Sequence, residues 1–209
     1  MQGRREAADA FRDLADRMVV ADADAAQWGA VTQALRQLAE RLPAANDRSR
    51  FERLLRAEPD GHGDPGSFTP LPHPLGEGSS GVFPPIAWGH HEGGVDAEVT
   101  FGPAFEGPPG LVHGGFIAAG FDIVLSALGT DVLGRGVTRT LRLRYLKPTF
   151  LGQVLRFEVQ AGDRVDRRLP LTGRLVDASG RVTVRAVAEF VSMDAGRFAD
   201  RRSTLRSTG

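Results

Sequence analysis

The chain has 209 residues, 26 Lys+Arg balanced by 26 Asp+Glu, and no cysteine. That length suits one domain with an appendage rather than two full domains, and a formal net charge of +0 supplies no basic face of the kind nucleic acid demands. The missing cysteines exclude disulfides, thiolate metal sites and a cysteine nucleophile together.

The first 25 residues are rich in Arg and Asp and lack the apolar core of a signal peptide. With the absence of cysteine, this leads to the expectation of a cytoplasmic protein. No stretch reaches the ~18–20 uninterrupted apolar residues of a membrane span. The most apolar segment, 114–129, is too short, so no membrane partner is expected.

The first predicted element is a helix over 5–20, with Phe11, Leu14, Ala15, Met18 and Val19 on one face. Trp28, Val31, Leu35, Leu38 and Leu42 then step by 3, 4, 3 and 4, an apolar stripe along a second helix. Asp24 followed by Gln27 makes a capping start for it. A shorter helix is expected around Phe51, Leu54 and Leu55. Residues 1–58 thus read as a helical N-terminal extension, and the Pro- and Gly-rich residues 59–81 as a linker.

Residues 82–194 form the predicted core domain, and 195–209 a flexible tail. Two strands, 86–89 and 95–101, flank a turn written His90-His91-Glu92-Gly93-Gly94. A loop Phe105-Glu106-Gly107-Pro108-Pro109-Gly110-Leu111-Val112 leads to His113-Gly114-Gly115, which opens the apolar segment. Strands are predicted near 137–146, 154–161, 167–176 and 182–192, with Asp177-Ala178-Ser179-Gly180 as a turn. A long helix between a hairpin and a run of antiparallel strands predicts a curved sheet wrapped around that helix.

Asp122 is the only charged residue between Gly114 and Gly129. A helix that is apolar all round is normally buried, and a carboxylate is costly to bury without partners. Asp122 therefore either has a chemical role or caps a shorter helix beginning at Ile123, with Gly120 as a break. The first amides of the helix would lack internal partners, placed to stabilise a carbonyl oxygen gaining negative charge. His113, His90 and His91 show no spacing of a metal site, and no metal is expected.

The run EGPPGLVHGGFIAAGFD resembles the hotdog-fold acyl-CoA thioesterases of the phenylacetate-pathway type, within the 4HBT superfamily. It is most like the branch reading GPPG-x-x-HGG with an Asp nine positions after the His (122 − 113 = 9). Val137-Thr138-Arg139-Thr140-Leu141-Arg142-Leu143-Arg144-Tyr145-Leu146-Lys147-Pro148 resembles that branch's strand after the helix, including its active-site Thr. The resemblance covers roughly residues 86–192. The broader family's Asn, six residues before the His, is Gly107 here, as in the GPPG-type branch.

The resemblance implies an α+β hotdog fold and hydrolysis of an acyl-CoA to free acid and CoA, with CoA part of the substrate and no cofactor. Asp122 would be general base or nucleophile, and the Gly115 amide would polarise the carbonyl. His113 would shape the loop or hold the substrate carbonyl, and Thr138 would bond the attacking water or Asp122. Gly114 would contact substrate; read from the residues alone, Arg142, Arg144 and Lys147 either meet the CoA phosphates or form a solvated strand face. Other readings are a non-catalytic acyl-CoA binder and a hotdog hydratase or dehydratase.

Two geometric expectations accompany this. Plain strand alternation places Thr138, Thr140, Arg142 and Arg144 on one face, and Val137, Arg139, Leu141, Leu143 and Tyr145 on the other. Thr138 would then point away from the helix. Gly115 and Asp122 are seven residues apart, roughly 10 Å along a helix at ~1.5 Å per residue, too far to act on one carbonyl. The expected partner is a second copy: a homodimer, or a dimer of dimers, with active sites shared between chains.

Overall fold

The computed structural model describes residues 2–42, 81–134 and 136–193. The expected helix around Phe51 to Leu55, most of the linker and the tail lie outside the described residues. By compactness the chain divides into Met1–Val19 with Pro70–Gly209 as one unit, and Val20–Thr69 as the other. Helix α1 (Gln2–Val20) therefore belongs with the sheet rather than with the rest of the extension.

In the second unit, α2 spans Ala25–Glu40. Asp24 accepts from the Gln27 N–H while the Gln27 side chain accepts from the Asp24 N–H, so the expected capping box is formed. Its apolar stripe ends in exposed Leu38 and Leu42.

In the first unit, β1 (Ala87–His91) and β2 (Gly94–Thr100) form a hairpin. Its turn is tighter than the sequence suggests. His90 and His91 lie in the strand, paired with Val95 and Gly94, and only Glu92-Gly93 connect, with Gly93 at φ +75°. A two-residue loop of this kind suits positive φ at glycine.

A single 3₁₀ turn, Pro103–Phe105, follows, and then α3 over Gly114–Leu133. At 20 residues α3 runs past Gly129 and is long and apolar enough to cross a membrane. Its apolar residues are nevertheless spent on the sheet, with Ile117, Phe121, Ile123, Val124, Leu125 and Leu128 buried.

The remaining strands are β3 (Gly136–Tyr145), β4 (Val154–Ala161), β5 (Arg168–Val176) and β6 (Val182–Ser192). All pair antiparallel in the order β1-β2-β4-β5-β6-β3. The result is the curved sheet around one helix that the pattern predicts. Val95, Ala97, Val99, Leu155, Phe157, Val159, Leu169, Leu171, Val184, Ala186, Ala188 and Phe190 alternate inward to form its concave side.

Two glycines set the spacing between helix and sheet. A Cβ at Gly120 would meet Phe157 Cζ at 2.4 Å, and one at Gly129 would meet Phe190 Cγ at 2.5 Å. Gly120 is thus a packing site and not a helix break, and α3 continues through it.

Strand β3 departs from simple alternation. Thr138 pairs with Phe190, but Thr140 pairs with Glu189, leaving Arg139 as an extra residue in a bulge. A bulge shifts parity by one. Gly136, Thr138, Leu141, Leu143 and Tyr145 therefore share the helix side, while Val137, Thr140, Arg142 and Arg144 face away. The expected positions of Thr138 and Val137 are both reversed, and the cause is that one residue.

Candidate active site

The loop before α3 is fastened at several points. Glu106 bridges Val112, Leu111 bridges Phe150, and the Val112 N–H donates to the Thr149 carbonyl. Glu106 Oε1 accepts from the Gly110 N–H at 2.6 Å, and Gly110 takes φ +73° to close the turn. Gly107 lies against the His113 backbone, 2.9 Å from Cα to a notional Cβ. A larger residue at 107 would push that backbone aside.

His113 is the N-cap of α3, with φ −62° and ψ 130°. Its own N–H donates to the Phe105 carbonyl at 2.9 Å, and its Nδ1 accepts from the Gly115 N–H at 3.0 Å. An accepting Nδ1 puts the ring proton on Nε2 in the neutral ring. The ring is exposed, so that N–H faces outward. The Gly115 amide, the expected carbonyl donor, is here engaged by His113. The Gly114 N–H has no partner among the described residues, while its carbonyl accepts from the Tyr145 hydroxyl at 2.8 Å. Burial raises the Tyr145 pKa, so the phenol stays protonated and keeps donating.

Asp122 lies two turns further along α3. It is half-buried rather than buried, and its carboxylate makes no hydrogen bond or ion pair with any described residue. The sheet covers only one side of α3. Gly115, Ala118, Ala119, Asp122, Ser126 and Thr130 occupy the side left open. Ser126, one turn beyond Asp122, hydrogen-bonds Thr138 Oγ1 through its Oγ at 3.0 Å. Thr138 is thereby tied to the helix that carries Asp122.

Arg142 and Arg144 are on the opposite face of the sheet, and Lys147 lies exposed beyond the strand end. The structure does not bring these three together with Asp122. On that outer face Arg156 and Arg174 both bond Glu158. Burial raises the Glu158 carboxyl, but the two arginine hydrogen bonds outweigh it and the net shift is downward. His91 lies 3.4 Å from Asp96 on the same face. Among the described residues no three metal-ligating side chains converge.

Sequence reasoning missed Ser126, and saw in Tyr145 only a strand residue on the apolar side. Ser126 carries a readable signal, a hydroxyl one helical turn after the lone carboxylate. The Tyr145 contact joins residues 31 positions apart and is not visible locally.

Residues 109–184, from the loop through α3 into β6, match the family model of the thioesterase superfamily. The crystal structure of RHA08564, described as a thioesterase superfamily protein, superposes with a TM-score of 0.73 at 27% identity. It covers 90% of this chain and 94% of that one. Over residues 109–184 this chain is similar to the thioesterase superfamily.

Two further structures share its fold. The E. coli PaaI protein from the phenylacetic acid degradation operon has a TM-score of 0.50 at 14% identity, covering 52% of this chain and 80% of its own. The protein smu.793 from Streptococcus mutans UA159, bound to acetyl CoA, has a TM-score of 0.51 at 18% identity, covering 54% and 91%. Among curated proteins, none matches significantly. The GPPG-x-x-HGG grouping within the superfamily rests on the motif alone.

Proposed function

We propose that this chain is a thioesterase-superfamily domain that hydrolyses acyl-CoA thioesters. The observation that carries the proposal is a pair of unsatisfied groups on one helix. Among the described residues, the Gly114 N–H is unpartnered at the start of α3, and the Asp122 carboxylate is unpartnered on its open side. An amide donor suits an oxygen gaining negative charge. A carboxylate suits activation of water or direct attack. Acyl-CoA is the first substrate class to test because acetyl CoA occupies the fold-mate smu.793.

In this reading the thioester carbonyl oxygen lies at the Gly114 N–H and the outward Nε2–H of His113. Gly115 N–H holds the His113 ring in the matching tautomer and joins the oxyanion contacts only when that ring turns away. Asp122 takes a proton from water as it attacks the carbonyl carbon. The carbon–sulfur bond breaks, and the CoA thiolate leaves and is protonated. Thr138, supported by Ser126, positions the water or the carboxylate. CoA enters and leaves as part of the substrate, and the chemistry needs no further cofactor.

Gly114 and Asp122 are eight residues apart, about 12 Å along the axis at ~1.5 Å per residue. The reading therefore places the donor and the carboxylate of one site on two copies, related by a two-fold axis. The small residues on the open side of α3 allow a second helix to approach closely.

Thiol release from a panel of acyl-CoAs, by the native protein and by Asp122→Asn, tests the proposal. Native turnover that Asp122→Asn abolishes supports it. Saturable acyl-CoA binding without thiol release identifies a binder and overturns it, as does hydration of an enoyl-CoA.

A further inference from the structure

The extension's first helix reaches the loop that leads to His113. Asp16, near the end of α1, accepts from the Ala104 N–H through Oδ1 at 2.8 Å. Ala104 lies in the 3₁₀ turn Pro103–Phe105, whose preceding residue is Gly102 and has no side chain to cap it. Pro103 has no N–H, so Ala104 presents an orphan amide of that turn. Asp16 supplies the missing cap from 88 residues away. Gly102 lets it do so, because a Cβ there would lie 2.3 Å from Asp16 Oδ2.

The capped turn holds the beginning of α3 in two ways. The Phe105 carbonyl accepts the His113 N–H at 2.9 Å. The Phe105 ring packs edge-on against Phe116 in the first turn of α3, with centroids 4.9 Å apart. Little apolar burial secures α1 itself. Ala8 is its only buried residue, and Phe11, Met18, Val19 and Val20 are exposed. Leu14 and Ala15 are half-buried, so the apolar footprint of α1 is small and the Asp16 contact adds to it. The similarity to RHA08564 covers 90% of this chain and so includes residues before Gly81.

We infer that Asp16 is a positioning residue for the site: it caps the 102–105 turn and thereby holds His113 and the first amides of α3 in place. The functional half of this rests on the hydrolase reading. Asp16 acts through Ala104 and Phe105 and touches no reacting atom.

The test uses full-length Asp16→Ala, Asp16→Asn and Gly102→Ala proteins and the Gly102→Ala/Asp16→Ala double variant, each checked for folding by circular dichroism. Two readouts are taken: peptide-level hydrogen exchange over 102–116, and acyl-CoA kinetics. Asp16→Ala should speed exchange across that segment and lower kcat ~10-fold or more with KM near native, as misplaced site groups do. Asp16→Asn keeps an oxygen acceptor and should restore both. Gly102→Ala displaces the carboxylate, so it should reproduce the loss, and the double variant should be no worse than either single one. Unchanged exchange in folded Asp16→Ala overturns the inference, and so does faster exchange with native kcat. If the native protein releases no thiol, the hydrolase reading fails, while the exchange data still decide whether Asp16 holds the loop.

Discussion

The Asp122 side chain bonds to no described residue, so removing its charge should alter chemistry far more than folding. Asp122→Asn should lower kcat/KM on an acyl-CoA by ~100-fold or more, the scale of a lost general base, with Tm within a degree or two of native. A native rate in the variant would remove Asp122 from the mechanism. Asp177 is the opposite case, a carboxylate committed to structure. In the β5–β6 turn its Oδ1 accepts from the Ser179 hydroxyl, the Ser179 N–H and the Arg181 N–H, and its Oδ2 from the Arg181 guanidinium. The Ser179 hydroxyl, followed by the Arg181 backbone, holds its carboxyl far below the ordinary range. A depressed folded-state pKa contributes stability that is full above the unfolded value, about 3.9, and is lost as pH falls through the folded value. Asp177→Ala should therefore lower Tm at pH 5–7, and the gap from native should narrow as pH is taken down toward 2. A gap independent of pH would contradict this account.

At the scale of elements, the approach of α3 to the sheet is set by what is missing from it. Gly120→Ala adds a methyl 2.4 Å from Phe157 Cζ, and Phe157 is fully buried under Phe121, with no room to swing aside. Overpacking costs about 1–3 kcal/mol, against a helix-propensity gain of about 1 kcal/mol for replacing glycine. The net expectation is destabilisation of about 1 kcal/mol, measured by denaturant unfolding; a more stable variant would show that the helix is free to lift. The bulge in β3 is the other device at this scale. Arg139 is anchored outside by Glu189, at 3.1 Å, while Thr138 turns inward to Ser126. Period-two reading of Val137 to Tyr145 fails because alternation counts every residue, whereas a bulge hides one.

At the scale of the whole molecule, the open side of α3 and the outer edge of β3 are both uncovered among the described residues. The two-chain site leads to a complementation experiment. Gly114→Pro removes the amide donor at a helix position where proline is tolerated, and Asp122→Asn removes the carboxylate; each alone should be inactive. In a mixed dimer one site carries both lesions and the other carries neither. Random mixing should then return about a quarter of native activity, since about half the dimers are mixed and each has one intact site. No recovery in verified, folded heterodimers would show that each site is built within a single chain.

Much of this protein was legible before its structure. The α3 helix, the two-residue capping box of α2 and the six strands follow from periodicity and local hydrogen-bonding chemistry, which act over a few residues. The HGG-to-Asp spacing of nine likewise pointed to one helix bearing the candidate groups. What depended on tertiary structure was which of those groups are available. His113 Nδ1 occupies the Gly115 amide, the sheet leaves Asp122 half open, and one bulged residue turns Thr138 inward, off the face it would otherwise share with Arg142 and Arg144. The Asp16–Ala104 bond was equally out of reach. It joins residues 88 positions apart, and no local preference of either residue selects the other; only the packing of α1 beside the 3₁₀ turn brings an orphan amide to a carboxylate.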